Sequence, residues 1–240
     1  MTPEERPRWA ALALTPIVPL VGLAAGGRWI WPLLAPLTLW PSFAAAVRGA
    51  DYRRALGAGL LWAGLLSAGI VAWTEQAPRS AGRGIVHSEP YRIEMFQWIE
   101  TGAGKENEPA RFLPEHLVHL AAFAALTWAT GGYLGLVLGA ALTGYMSYFV
   151  GSFAISSGHP IAGALVAWVP WSVVRVVAFV TLGCVLARPL LVRRWAPFGP
   201  RERRWIAAAL TGIVIDLLLK TLAAPAYGRF LLDMLGSSRD

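Results

Sequence analysis

Long apolar blocks alternate with polar segments along this chain. Blocks of about 18 residues or more match the ~30 Å of hydrocarbon that a membrane-spanning helix has to cross. The blocks run solidly apolar, whereas the strands of transmembrane β-barrels alternate apolar and polar residues. The pattern therefore predicts an all-α, polytopic membrane helix bundle with about seven transmembrane helices. The predicted spans are residues 8–25, 29–47, 55–73, 113–130, 132–154, 161–187 and 205–226.

The composition agrees with a membrane protein. Hydrophobic residues make up 56% of the 240 residues and charged residues 15%, against about 25% charged in soluble domains. This excludes a secreted disulfide-rich scaffold, a disordered chain and a typical cytosolic enzyme. The first apolar block is longer than the core of a signal peptide and contains two prolines, so a retained helix is favoured over a cleaved signal.

Basic residues collect in two loops of the chain. Residues 48–54 carry three arginines against one aspartate, and residues 188–204 carry six arginines against one glutamate. The segment 75–115 carries seven acidic and five basic residues. Because Lys and Arg accumulate in cytoplasmic loops, seven spans place the N-terminus and both basic loops in the cytoplasm and the C-terminus outside.

These charges also define the predicted organisation. Residues 1–240 form a single integral-membrane domain of the cell (inner or plasma) membrane, with a basic cytoplasmic loop at 188–204 facing anionic lipids. Topology explains the net charge of +7, so no nucleic-acid partner is expected. The outer segment 75–112 contains a short amphipathic helix near 91–100, whose apolar residues are Ile93, Phe96 and Ile99, with Met95 and Trp98 beside them.

Small residues recur at every fourth position of the fifth predicted span. They are Gly131, Gly135, Gly139, Thr143, Ser147 and Gly151. Such a ridge lets helix backbones approach each other closely in lipid. The ridge fits packing inside the bundle, or a helix–helix partner that binds through Gly131, Gly135 and Gly139.

The histidines suggest a metal site. Glu115, His116 and His119 share a face at the start of the fourth span, and His159 starts the sixth span at the same outer level. Three histidine nitrogens and a carboxylate are a suitable set for a divalent metal, most commonly zinc. The predicted metal ligands are His116, His119 and His159. Glu115 and Glu94 are the predicted catalytic residues, as general bases beside a metal-bound water.

Other interpretations of the same residues stay open. The spacing E-H-x-x-H is neither of the zinc-hydrolase spacings H-E-x-x-H and H-x-x-E-H. These side chains can also be solvated interfacial residues that hydrogen-bond between helices. A b-type haem held by His119 and His159 is a further alternative, although it leaves Glu115 and Glu94 without a role.

Charged residues also occur deep within the last two spans. Arg175 and Asp216 lie 13 and 12 residues, respectively, from the arginines that bound the loop 188–204, so at 1.5 Å per residue they have similar depth. An unpaired charge there costs ~2.5–3.5 kcal/mol on insertion scales. We therefore expect a buried Arg175–Asp216 ion pair. Lys220, one turn after Asp216, is an alternative partner or the third member of a network.

The sequence thus favours an integral membrane enzyme with an outer-face Glu/His site. The expected activity is that of a metal-dependent hydrolase or transferase that acts on a lipid or a membrane-proximal peptide. One alternative is a transporter or channel that uses the Arg175–Asp216 pair, although no inverted repeat is evident. The other is a non-catalytic accessory subunit of a membrane complex.

Overall fold

The structure, a computed structural model, describes residues 10–24, 27–194 and 197–236. Within these ranges every regular element is helical, and no strand occurs. The α-helices, in chain order, are α1 (Val18–Ala24), α2 (Ile30–Leu34), α3 (Trp40–Arg48), α4 (Tyr52–Gln76), α5 (Pro78–Gly84), α6 (Ser88–Thr101), α7 (Pro109–Thr130), α8 (Tyr133–Ser156), α9 (Pro160–Ala167), α10 (Pro170–Leu186), α11 (Arg188–Leu191) and α12 (Pro200–Gly236). Short 3₁₀ turns at Thr15–Ile17 and Ala35–Thr38 precede α1 and follow α2.

Four stretches in the described ranges are long and apolar enough to cross a membrane. They are α4, α8, α12 and the stretch Pro170–Leu191, which joins α10 and α11. A fifth span results if Ile30–Thr38 and α3, which are bent by 50°, count as one. Pro36 and Pro41 account for the bend, because a proline lacks the N–H that continues the helical hydrogen bonds. Length and composition therefore support a membrane protein with four or five apolar spans.

The remaining predicted spans differ from expectation. The apolar helix Ala10–Ala24 is shorter than a full span, and residues 8–9 and 25 of that prediction lie outside the described residues. Helix α7 has 22 residues, but its first half is too polar for it to belong with the apolar spans. The predicted span 161–187 is interrupted between α9 and α10, because the residue before Pro170 is extended (Val169 ψ 134°).

The two basic loops lie at the same end of the bundle. Arg48 donates a hydrogen bond from Nε to the carbonyl oxygen of Leu191 (3.4 Å). The hydroxyl of Tyr52 donates to Glu202 Oε1 (2.9 Å), and Arg188 Nη1 lies 3.6 Å from the same carboxylate oxygen. Helix α4 leads from this end to the opposite end, where α5 and α6 follow it in the chain.

Helix α6 contains the predicted amphipathic segment and packs on the bundle. Its buried residues include Met95, Trp98 and Ile99, which share one face at i, i+3 and i+4 spacing. The Trp98 ring contacts the Trp171 ring of α10 edge-on, with centroids 6.1 Å apart. Ile93, which the sequence placed on the apolar face, is 56% exposed. The buried face is therefore set by the aromatic contact with the bundle.

The glycine ridge of α8 contacts helices of the same chain. A Cβ atom at Gly151 would lie 2.7 Å from Thr74 Cβ on α4, and one at Gly135 would collide with Thr127 on α7. At Gly139, however, an added Cβ meets no atom within 4 Å. Packing inside the bundle thus accounts for Gly135 and Gly151, whereas Gly139 faces open space. A second chain bound through the ridge stays a prediction.

Candidate functional site

A cavity lies between α4, α7, α8, α10 and α12. The cavity volume is about 80 Å³, and the surrounding space free of protein atoms, which includes the open mouth, is about 980 Å³. Apolar side chains such as Trp62, Phe123, Leu136 and Phe179 form most of its wall. The wall also contains the titratable residues His116, His119, Tyr145, Arg175 and Asp216. Asp216 lies close to both His116 and Arg175, and the Tyr145 ring packs against Tyr91 of α6.

Helix α7 fixes the orientation of His116. The Nδ1 atom lies 2.9 Å from the carbonyl oxygen of Phe112, one turn earlier. A carbonyl only accepts hydrogen bonds, so Nδ1 carries the proton and Nε2 of the neutral ring presents a lone pair. Nε2 is buried, has no hydrogen-bond partner among the described residues, and lies 3.9 Å from Asp216 Oδ2. His116 is therefore positioned as a proton acceptor inside the cavity.

Arg175 and Asp216 meet across the interface between α10 and α12. The guanidinium donates from Nε to Asp216 Oδ2 (2.9 Å) and from Nη2 to Oδ1 (3.0 Å). Asp216 is 1% exposed, so the carboxylate is removed from water and holds the guanidinium in one orientation. Among the described residues Nη1 of Arg175 has no hydrogen-bond partner, which leaves its N–H groups available to a ligand.

Lys220 pairs with a carboxylate that the sequence did not single out. Its Nζ donates to Glu106 Oε1 (2.8 Å), and Trp171 Nε1 donates to Glu106 Oε2 (2.9 Å). The ammonium also lies 4.5 Å from the centroid of the Phe112 ring, within the range of a cation–π contact. The predicted spans contain two deep cations, Arg175 and Lys220, but only one deep acid, Asp216. This charge imbalance was the sequence feature that could have indicated a second carboxylate supplied by the polar segment.

The two predicted catalytic glutamates lie beside each other but at the surface. Lys105 Nζ is 3.2 Å from Glu94 Oε2 and 3.0 Å from Glu115 Oε2. The hydrogen bond that Lys105 donates to Glu115, together with the charges of Glu115 and Glu94, raises the pKa of Lys105 above its ordinary value. Neither glutamate belongs to the cavity wall, so this ion-pair cluster borders the site without facing its interior.

His159 lies apart from the other predicted metal ligands. It is exposed at the start of α9, where its backbone N–H donates to Ser157 Oγ (3.4 Å). His116 and His119 line the cavity, whereas His159 does not. In the described ranges no three His, Cys, Asp or Glu side chains form a group that could hold a metal ion. The structure therefore does not assemble the predicted three-histidine zinc set, nor does it place His119 and His159 together in the cavity as a haem pair.

Tyrosines close the polar end of the cavity. The ring of Tyr145, on the cavity wall, packs against the ring of Tyr91 with centroids 4.6 Å apart and against His87 at 5.6 Å. In the described part of the chain the Tyr145 hydroxyl has no hydrogen-bond partner. The Tyr145 hydroxyl therefore lies in the same cavity wall as His116, whose Nε2 is buried without a partner.

A further acid ties α6 to α8. The hydroxyl of Tyr148 donates a short hydrogen bond to Glu89 Oε1, and Arg92 Nε donates to Glu89 Oε2 (2.9 Å). Partial burial by itself raises the pKa of the Glu89 carboxyl, but the hydrogen bonds from Tyr148 and Arg92 outweigh it, and the pKa is lowered. The ionised form of Glu89 therefore holds α6 over the tyrosine-lined end of the cavity.

The arrangement combines an apolar chamber with a few converging polar groups, which is the usual composition of a ligand site. No known protein family, curated protein or solved structure matches this chain. The function must therefore be argued from the site itself.

Proposed function

We propose that this chain is an integral membrane enzyme that hydrolyses or transfers the acyl group of a lipid ester. The observation that supports the proposal is the cavity, in which the buried and unpartnered His116 Nε2 lies with Tyr145 and Arg175 in a wall that is mostly apolar. An amphiphile matches this distribution, with its hydrocarbon chain against the apolar wall and its ester at the polar end.

The polar end provides the groups that acyl transfer requires. His116 Nε2 accepts the proton of a hydroxyl nucleophile, water in hydrolysis or an acceptor alcohol in transfer, as its oxygen attacks the ester carbon. Negative charge then develops on the carbonyl oxygen, where the free N–H groups of Arg175 and the Tyr145 hydroxyl donate hydrogen bonds. When the bond to the leaving alcohol breaks, His116 returns the proton to the leaving oxygen.

The ion pair with Asp216 has a positioning role in this mechanism. Its carboxylate holds Nε and Nη2 of Arg175, so the remaining N–H groups have one orientation relative to the cavity. A preorganised donor stabilises developing charge without reorganising during the reaction. The apolar wall excludes bulk water and strengthens the electrostatic contribution of this cation.

The proposal includes a seven-pass topology in the cell membrane, with the N-terminus in the cytoplasm and the polar end of the cavity on the outer side. The placement of both basic loops at the opposite end of the bundle supports this orientation, because cytoplasmic loops are enriched in arginine. The lipid ester would then be taken from the outer leaflet.

The experiment uses the purified protein in nanodiscs prepared from a total lipid extract. Lipids that copurify and products that accumulate are identified by mass spectrometry for the wild type and three variants. Gly139→Leu fills the cavity from an open position, whereas Gly57→Leu makes the same change at an exposed helical glycine that also has open space. His116→Gln removes the base while keeping a polar side chain.

We expect an enriched lipid ester and its product with wild type and Gly57→Leu. Gly139→Leu should lose both, while His116→Gln should retain the lipid and form product more slowly by about 10²–10⁴-fold, the usual contribution of a general base. An unchanged lipid profile in Gly139→Leu would refute the proposal. Metal content and an absorption spectrum of the same sample test the zinc and haem alternatives.

A transporter is the second candidate, favoured by the interruption between α9 and α10. Broken helices beside buried charges are typical of transport sites, and the Lys220–Glu106 pair binds Trp171 at the start of α10. This candidate predicts that Arg175→Asp and Asp216→Arg each abolish transport and that the double exchange restores it. The enzyme predicts no recovery of product formation in the double exchange, since the cation would then lie on α12.

A further inference from the structure

A second apolar groove lies on the outside of the bundle, between α4 and the α9–α10 pair. On α4 its lining residues run from Leu60 to Glu75. Residues of α9 and α10 also line the groove, and Trp168 lines it at the interruption between these two helices. The groove volume is about 640 Å³, and the space free of protein atoms, which includes the open side, is about 1290 Å³.

Only single side chains separate this groove from the cavity. Ala63, Thr143 and Val176 line both spaces. Ala63 and Thr143 are small, so the partition is thin where α4, α8 and α10 meet. The groove wall is apolar apart from Ser67, Glu75 and Thr143, and small residues such as Gly64 and Ala68 leave room for a hydrocarbon chain along α4.

The helix that forms one side of the groove lacks continuous backbone hydrogen bonding. Between α9 and α10 the backbone of Trp168 and Val169 is not helical. One carbonyl freed by the interruption, that of Val166, instead accepts a hydrogen bond from the Tyr227 hydroxyl of α12 (2.7 Å). An interrupted span can change direction at the interruption at lower cost than a continuous helix.

From these observations we infer that the hydrocarbon chain of a bilayer lipid enters the cavity sideways through this groove, between Ala63, Thr143 and Val176. The inference rests on the proposed function, because it supplies the route by which the lipid substrate reaches the site. The groove lies between stretches that are long and apolar enough to cross a membrane, so the occupant that fits its wall is an acyl chain. The route explains how a membrane lipid reaches a buried polar end without first leaving the bilayer.

Three glycines with open space around an added Cβ provide matched tests. Gly64 lines the groove and not the cavity, Gly139 lines the cavity and not the groove, and Gly57 lines neither. A leucine at each position adds the same volume in a helical segment. The probe is palmitic acid carrying a photoreactive diazirine in its chain, added to the protein in phosphatidylcholine liposomes. Labelled peptides are identified by mass spectrometry after successive illumination times.

In wild type and Gly57→Leu we expect label on groove peptides first and on the cavity peptides of α7 later. Gly64→Leu should slow cavity labelling severalfold without changing its final extent, whereas Gly139→Leu should abolish cavity labelling and leave groove labelling intact. Cavity labelling at the wild-type rate in Gly64→Leu would overturn the lateral route and leave the proposed function standing. Unchanged cavity labelling in Gly139→Leu would instead refute the lipid site itself.

Discussion

Removing the carboxylate of Glu106 is expected to destabilise the fold strongly. Glu106 is the partner of Lys220, and both side chains are almost fully buried, with 10% and 3% exposure. The substitution Glu106→Ala leaves the ammonium in the interior without a counter-charge. It also removes the acceptor of the Trp171 indole N–H.

The magnitude follows from these contacts. Removing one partner of a buried ion pair costs about 3–5 kcal/mol of unfolding free energy. We take this range to include the cost of leaving the Trp171 indole N–H without an acceptor. The Phe112 ring beside Lys220 keeps the cost from rising further, since a desolvated cation–π contact is worth about 2 kcal/mol. For a chain of this length each kcal/mol lowers the melting temperature by about 2–4 °C, so the expected decrease is about 6–20 °C.

A matched control lies two residues further along the chain. Glu108 pairs with Arg111 at 2.7 Å, but the side chains are 40% and 65% exposed. Exposed pairs contribute about 0–1 kcal/mol, so Glu108→Ala should lower the melting temperature by no more than about 4 °C. A double variant, Glu106→Gln with Lys220→Met, removes both charges and keeps an acceptor for Trp171. It should recover most of the stability.

The chain provides its own reporter of unfolding. Cys184 is the only cysteine and is 0% exposed, so a fluorogenic thiol reagent reacts with it only after the bundle opens. Melting curves at neutral pH are compared for wild type and the Glu106, Glu108 and double variants. If Glu106→Ala melts within about 2 °C of the wild type, or the double variant is no more stable than Glu106→Ala, the argument from buried charge is wrong.

Three further predictions concern the site and its packing. His116→Gln should slow formation of the lipid product by about 10²–10⁴-fold, while His159→Ala leaves the rate unchanged, since His159 is outside the cavity; equal losses in both would instead favour the metal site. Glu89→Gln tests the carboxylate that holds α6, because folding lowers the pKa of Glu89 below its ordinary value of 4.5. The ionised carboxylate therefore stabilises the wild type above pH 4.5, and this stabilisation is lost as the pH falls through the lowered pKa. The difference in melting temperature, followed by tryptophan fluorescence, should therefore be constant above that value and vanish in more acidic solution; a pH-independent difference would contradict this. Gly151→Ala should destabilise the fold by about 1–3 kcal/mol through overpacking, whereas Gly139→Ala should have the melting temperature of the wild type. A larger loss of stability in Gly139→Ala than in Gly151→Ala would contradict the assignment of Gly139 to the cavity.

The sequence alone predicted a membrane protein and one buried contact, the Arg175–Asp216 ion pair. Apolar blocks can be recognised locally, because hydrocarbon thickness sets the length of each span. Arg175 and Asp216 were expected to meet because two opposite charges at equal depth are costly apart, and the structure brings them together. The amphipathic segment near 91–100 likewise predicted a helix, although its buried face is set by Trp98 and its aromatic neighbours on the bundle.

Other features depended on contacts between segments distant in the chain. The apolar residues around Lys220 show that it lies deep within a predicted span. They do not show that the loop between α6 and α7 folds inward and brings Glu106 to it. Spacing along α7 relates His116 to His119, whereas the position of His159 depends on how α9 meets its neighbours. The prolines were visible, yet only packing decided that Pro170 interrupts a span. A cavity is space that several helices leave unfilled, so the shape of the site is fixed only when α4, α7, α8, α10 and α12 come together.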